Sequence, residues 1–408
     1  MGDSGLTSGR SRGSHLLHPV LARALNLEAG MPVSDWPEIP QDAQADFIAA
    51  VVRHRVSSTV APIAQFIGLN PEHCEKLESV LSGDILGSMR LQSAAAAITD
   101  ALTQAGIRSV VYKGVALAAQ TTGNPASRGY GDVDILVPPA DLVRAHDALI
   151  GAGARLMPGF VPDPHSHLWP TAQRIGCEAP YRWHGVDLDI HWRFDRLPQI
   201  ARIDFDQLWQ RRDHVTLAGQ PVATLGTIDA LMVTCVHGTK EQWRQWRWVL
   251  DVVRQMRAVP EGEWEKIRDE SQETGCEEGL AVGVALANMM VPGTSPLNAG
   301  ARALHLAQQA WDQAIDDSAP FGEISRAKQI ERLQWMLRTL PSLSSAGSVA
   351  YRVGWANLDL AEVELPRPFI WAYPLLRPYL WNRRLRSGSY GGHSTTQKQG
   401  VAPSLHRR

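Results

Sequence analysis

Cysteine is scarce in this chain: Cys74, Cys177, Cys235 and Cys276 are spread over 408 residues with no C-x-x-C spacing. That distribution excludes a disulfide framework and structural zinc, and it fits a reducing cytoplasm. Excess charge is lacking too. Forty basic residues face 42 acidic ones, a formal net charge of −2, so no global field gathers polyanions and a long polynucleotide acceptor is disfavoured. No apolar run of about eighteen residues is present, and the first fifteen residues are rich in Gly, Ser and Arg without an apolar centre, so neither a membrane span nor a signal peptide is expected. Internal repeats are missing as well. The hydrophobic content of 44% is enough to build real cores in a chain of this length.

What the chain does have is a pair of carboxylates inside an apolar, β-branched run, Gly131-Asp132-Val133-Asp134-Ile135-Leu136-Val137. In an extended strand Asp132 and Asp134 share one face while Val133 and Ile135 enter the core on the other. Two close carboxylates repel each other. They coexist either around a divalent metal such as Mg²⁺ or with one of them protonated. Solvated turns also produce D-x-D, and the upstream segment argues against that explanation here. Residues 107–118 read as a strand, a tight turn at Lys113-Gly114 and the start of a helix, which offers an anion unpaired N–H groups, a dipole end and a lysine.

A second strand, Val186-Asp187-Leu188-Asp189-Ile190-His191-Trp192, places Asp187, Asp189 and His191 on one face by the same alternation. Two-metal chemistry on phosphates needs a general base in addition to its metal ligands. Asp189 is the candidate, with Asp187 as the alternative. His191 fits a residue that orients a carboxylate better than a direct ligand.

Lys113-Gly114, Leu117, Arg128 and Asp132 to Val137 together resemble the uncharacterised nucleotidyltransferase family of the polymerase-β-like superfamily, whose pattern is K-G-x-x-L, an Arg and D-h-D-h-h-V. Val186 to Trp192 resembles its D-L-H-W strand, and His237-Gly238 with Arg247-Trp248 and Asp251 resembles its later helical segment. The turn departs from the Gly-Ser form usual in the wider superfamily, and Gln120-Thr121-Thr122 stands where relatives tend to carry an aromatic residue. The resemblance implies an α+β fold: a small mixed sheet flanked by helices, with helical N-terminal and C-terminal lobes. It implies Mg²⁺ or Mn²⁺ held by Asp132, Asp134 and Asp189, an NTP whose phosphates meet Lys113, Gly114 and Arg128, and Asp187 with His191 in support.

The expected organisation is a flexible segment over 1–41, a helical lobe over 42–105, the nucleotidyltransferase α/β core over 106–226 and a helical domain over 227–345. A packing arm over 346–386 and a disordered tail over 387–408 follow. Gly83 reads as a helix stop, Val215 to Leu225 as a hairpin around Ala218-Gly219, and residues 241–256 as one helix with Trp243, Trp246, Leu250 and Val253 on its buried stripe. The aromatic and basic strip from Phe369 to Arg386 suits packing or partner docking. His165-Ser166-His167 has metal-like spacing but no third ligand nearby in sequence, and reads as a loop. The expected reaction moves an NMP from an NTP to a hydroxyl or phosphate of a small molecule or peptide and releases pyrophosphate. The alternatives are a toxin-like transferase acting on tRNA or protein, and a nucleotide-binding scaffold without turnover.

Overall fold

The computed structural model describes residues 8–129, 131–197, 199–316, 326–339 and 346–387. Helices α1 (Ser8–Glu28), α2 (Gln44–His54), α3 (Ser57–Val60) and α4 (Pro71–Gln104) come first. The α/β core follows with β1 (Val110–Tyr112), α5 (Gly114–Thr122), β2 (Asp132–Leu136), α6 (Leu142–Gly151), β3 (Arg155–Leu156), α7 (Trp169–Ile175), β4 (Glu178–Trp183) and β5 (Val186–His191). Then come α8 (Phe205–Gln210) and the hairpin β6 (Asp213–Leu217) and β7 (Gln220–Thr224). The remaining helices are α9 (Thr227–Lys240), α10 (Trp246–Arg257), α11 (Trp264–Thr274), α12 (Glu277–Met290), α13 (Gly300–Ile315), α14 (Arg326–Arg338), α15 (Ala346–Gly354), α16 (Asn357–Glu362) and α17 (Tyr373–Ser387).

Five strands form one sheet in the order β1-β2-β5-β4-β3, and only β2 and β5 run parallel. This is the expected α+β architecture with a small mixed sheet flanked by helices. Register decides where the site falls. Asp132 pairs with Asp187, Asp134 with Asp189 and Leu136 with His191. Because side chains alternate, Val133, Ile135, Leu188 and Ile190 share one face, buried with residues of α4, α6 and α7. The other face carries the four aspartates and His191, with Tyr112 opposite Asp134 on β1 and Glu178 opposite His191 on β4. Only its Val110 and Leu136 end is apolar, packed with Met232, Val233 and Val236 of α9.

Three expectations change. Residues 8–28 are helical rather than part of a flexible segment: Leu17, Val20, Leu21, Ala24 and Leu25 follow three-to-four spacing and are buried. Pro19 inside that helix costs about 3 kcal/mol, and five buried apolar side chains at about 1.5–3 kcal/mol for each larger one outweigh it. Gly83 does not stop a helix. It sits inside α4 with nothing within 4 Å of where a Cβ would be, a loss of about 1 kcal/mol that the buried Leu77, Leu91, Ile98 and Leu102 of the same helix override.

The helix expected over 241–256 is broken. α9 ends at Lys240, Gln242 and Trp243 adopt φ of 60° and 52°, and α10 starts at Trp246. Trp243, Trp246, Leu250 and Val253 are all buried as expected, but Trp243 reaches the core by folding back on α9, its N–H donating to the Gly238 carbonyl at 2.9 Å. The hairpin turns at Ala218-Gly219 as expected.

In the C-terminal segment Tyr373 and Leu380 are buried, and Arg377 and Arg384 pair with the buried Asp359. Trp371, Leu375 and Tyr379 stay exposed, and α17 continues through Pro378. The tail expected to be disordered lies, after Ser387, outside the described residues. Among the described residues no helix is long and apolar enough to cross a membrane.

Trp243 explains the glycine at position 238. A Cβ there would sit 2.5 Å from the Trp243 ring, and neither partner can yield in a packed core. Gly238→Ala is therefore expected to lose about 1–3 kcal/mol by overpacking, read as a lower midpoint in urea denaturation; an unchanged or higher midpoint would contradict this packing.

Candidate active site

The site begins with a strained turn. Lys113 adopts φ 59° and ψ −160°, and Gly114 φ 42°. For a lysine this backbone costs on the order of 1–3 kcal/mol, so the surroundings must hold it. They do: a Cβ on Gly114 would lie 3.5 Å from the Asp132 carbonyl, so the turn rests against β2. Thus placed, Lys113 Nζ donates to Asp134 Oδ1 at 3.3 Å and stands 4.7 Å from the Tyr112 ring centroid.

Asp134 is the most constrained group of the site, its side chain 12% exposed. His191 Nε2 lies 2.9 Å from the oxygen that Lys113 binds. Burial by itself would raise the Asp134 carboxyl; Lys113 and the His191 hydrogen bond outweigh it and hold the group well below the ordinary carboxylate range. Asp189 completes the cluster. Single donor atoms of Asp134, Asp189 and His191 all lie within 4.8 Å of one another. Two carboxylates suit Mg²⁺ or Mn²⁺, and an imidazole among the donors moves the preference away from Mg²⁺.

The other expected site residues have the following partners. Asp132 is outside that cluster, and its charge acts on Arg55 and Arg247. Asp187 accepts from Arg182 Nε at 2.8 Å. Arg128, expected at phosphates, donates from Nε to Asp251 at 2.7 Å in a pair only 8% and 3% exposed. Gly114 opens α5, and Lys113 is engaged with a carboxylate.

Three participants carry no motif of their own. Glu178 on β4 places Oε2 3.4 Å from His191 Nδ1. Lys240 and His191 outweigh the loss of solvation and hold the half-exposed Glu178 carboxyl low, and Glu178 in turn keeps the Lys240 ammonium raised. His237, one turn before Lys240 on α9, is kept neutral by burial and by Lys113 and Lys240. Lys240 was recognisable only as a partner of His237 at i+3; Glu178 becomes visible only once β4 is paired. The third is Arg55, at the end of α2.

A pocket of about 260 Å³ opens on this face, lined by Asp187, Asp189 and Glu178 together with Met157, Phe160 and Leu358. A larger one, about 690 Å³, lies beyond Lys240 between α9, α12, α14 and α17, and Arg196 borders both. The two loop histidines part company. His167 Nε2 is 2.8 Å from the Leu365 carbonyl, whereas His165 meets Asp147 at 2.8 Å and joins a second cluster with His146.

Set against known proteins, residues 40–292 match the family of uncharacterised nucleotidyltransferases, which is more than half the chain. The chain belongs to this family. Among solved structures it is similar to an antigenic nucleotidyltransferase-like protein from Paracoccidioides brasiliensis, at 14% identity and a TM-score of 0.32, over 50% of this chain and 88% of that one. No curated protein matches it.

Because Asp134 is held below the usual carboxylate pKa, its contribution to stability is present above the unfolded value of about 3.9 and lost as pH falls through the lower folded value. Lys113→Met removes the largest favourable charge. It is expected to cost about 1–3 kcal/mol near pH 7, with the gap to wild type narrowing below about pH 4. Urea titrations at several pH values check this; a gap that is the same at every pH would place the loss elsewhere.

Proposed function

We propose that this chain is a metal-dependent nucleotidyltransferase that moves an NMP from an NTP to a hydroxyl or phosphate of a small molecule or peptide and releases pyrophosphate. The observation that carries this reading is the convergence of Asp134, Asp189 and His191 donor atoms within 4.8 Å on adjacent parallel strands, in a chain of nucleotidyltransferase family. Asp134 and Asp189 would hold Mg²⁺ or Mn²⁺, and Asp132, two residues before Asp134 on β2, would supply the further carboxylate. Such an ion, when bound, neutralises charge on the reacting phosphate and on the leaving pyrophosphate.

Asp189 takes the proton of the attacking hydroxyl. It suits that role because it lines the pocket of about 260 Å³ whose Met157, Phe160 and Leu358 offer an apolar wall to a modest acceptor. His191 fixes the carboxylate of Asp134, and Glu178 backs the imidazole from the other side. Lys113, 3.3 Å from Asp134, would lie within reach of a phosphate oxygen brought to that carboxylate and would add its charge there. Arg128 positions the loop ahead of β2 through its pair with Asp251. The free cysteines, three of them buried, suit a reducing cytoplasm.

Label transfer from each α-³²P-NTP with Mg²⁺ or Mn²⁺, using purified protein and host extract, tests the reading. Transfer is expected with wild type and absent with Asp132→Ala/Asp134→Ala. Asp189→Asn is expected to lower the rate by about 10²–10⁴-fold and Asp187→Asn by far less. Transfer that survives the double substitution would overturn the assignment.

A further inference from the structure

Three guanidinium groups gather around the chain that leads into β2. Arg128 is neutralised by Asp251. Arg247, one turn before Asp251 on α10, gives Nη1 to the Gly129 carbonyl at 2.7 Å, stands 5.3 Å over the Trp248 ring and leaves Nε buried without an acceptor. Arg55 ends α2 in the left-handed conformation, φ 55°, and its Cβ lies 3.4 Å from where a side chain on Gly129 would start. Among the described residues the Arg55 side chain has no hydrogen bond or salt bridge; the charges of Asp132, Arg128 and Asp84 act on it.

The nearby carboxylates are already committed. Asp251 serves Arg128, and Asp84 accepts from Ser57 Oγ. Asp132, under the proposed function, would serve a cation. Burial and the repulsion of Arg128 and Arg55 push the Arg247 guanidinium down, so this is a place where positive charge is under-compensated. A buried cation without a counter-charge costs several kcal/mol. The arrangement therefore calls for an anion, and one with several oxygens satisfies two planar forks at once. The start of α5 rests against Asp132, with a Cβ on Gly114 placed 3.5 Å from the Asp132 carbonyl.

We propose that Arg55 and Arg247 form the seat for the polyphosphate of the nucleotide, gripping it across Gly129 from the N-terminal helical lobe on one side and α10 on the other. This rests on the nucleotidyltransferase reading and extends it: the N-terminal lobe supplies a substrate contact, and the strained end of α2 exists to present it. Arg55 is half-buried and removable; its backbone conformation tolerates glutamine or lysine as well as it tolerates arginine.

The test is calorimetric titration of the full chain with inorganic tripolyphosphate and, separately, with each NTP and Mg²⁺, for wild type, Arg55→Gln, Arg55→Lys and Arg247→Lys, with melting curves for all four. Both ligands are expected to bind wild type. Arg55→Gln weakens both by about ten- to a hundredfold, the loss of a charged hydrogen bond. The two lysine variants keep the charge but not the fork, recover part of the affinity and melt near wild type. Tripolyphosphate bound equally well by wild type and Arg55→Gln overturns the seat, as does no binding of tripolyphosphate. Nucleotide binding that ignores Arg55 leaves the function standing and sinks the seat. Tripolyphosphate binding that depends on Arg55, with none of the NTPs bound, keeps the seat and overturns the nucleotide reading.

Discussion

A carboxylate that must stay ionised while mostly buried is the constraint from which the rest of this site follows. Asp134 gives up solvation, and Lys113 and His191 return it as one ammonium contact and one short hydrogen bond. Each of those partners needs support of its own. Lys113 reaches Asp134 only from a backbone conformation that lysine rarely adopts, which the packing of Gly114 on β2 makes tolerable. The His191 ring is held between Asp134, Glu178 and the edge of Tyr112, whose ring centroid is 5.3 Å away. Glu178 in turn depends on Lys240. Basic and acidic side chains alternate from β1 across to α9, so removing any one leaves the next without its partner.

That alternation also explains why the helical domain cannot be an appendage. Lys240 comes from α9 and Asp251 from α10, and both act on groups of the sheet or of the loop ahead of β2. The break between the two helices, with Trp243 folded over Gly238, sets where α9 stops and so where Lys240 sits. A packing detail at one glycine thereby reaches the electrostatics of the metal-competent face.

How much of this could be read in advance depends on the range of the interaction. The shared face of Asp132 and Asp134, and that of Asp187, Asp189 and His191, follow from a period of two within one strand. The α+β class and the hairpin at Ala218-Gly219 follow from equally local signals. That β2 and β5 lie side by side in register, which brings Asp134 and Asp189 together, is a long-range fact that neither strand announces. Glu178 and Arg55 belong to the same category. α1 had a legible stripe in Leu17, Val20, Leu21 and Leu25, hidden behind a Gly/Ser/Arg-rich start and Pro19. The break at 241–245 had no such sign, because Trp243 keeps the helical spacing while its backbone leaves the helix.

A net charge of −2 finally bears on how a chain like this can bind a highly charged substrate. Beyond a Debye length of about 8 Å at physiological salt its field is negligible, so affinity must be generated within contact distance. Cations at the surface would do this poorly, since exposed pairs contribute only about 0–1 kcal/mol. Cations withdrawn from water do it well, because the attraction rises as the effective dielectric falls. That is the arrangement on this face of the sheet: Lys113, Lys240, Arg128 and Arg247 are all at least partly buried, each kept from destabilising the fold by a carboxylate, a carbonyl or an aromatic ring. In the free protein Asp134 and Asp251 neutralise Lys113 and Arg128, while Arg247 rests on the Gly129 carbonyl and the Trp248 ring, so these cations are held out of water without being left bare.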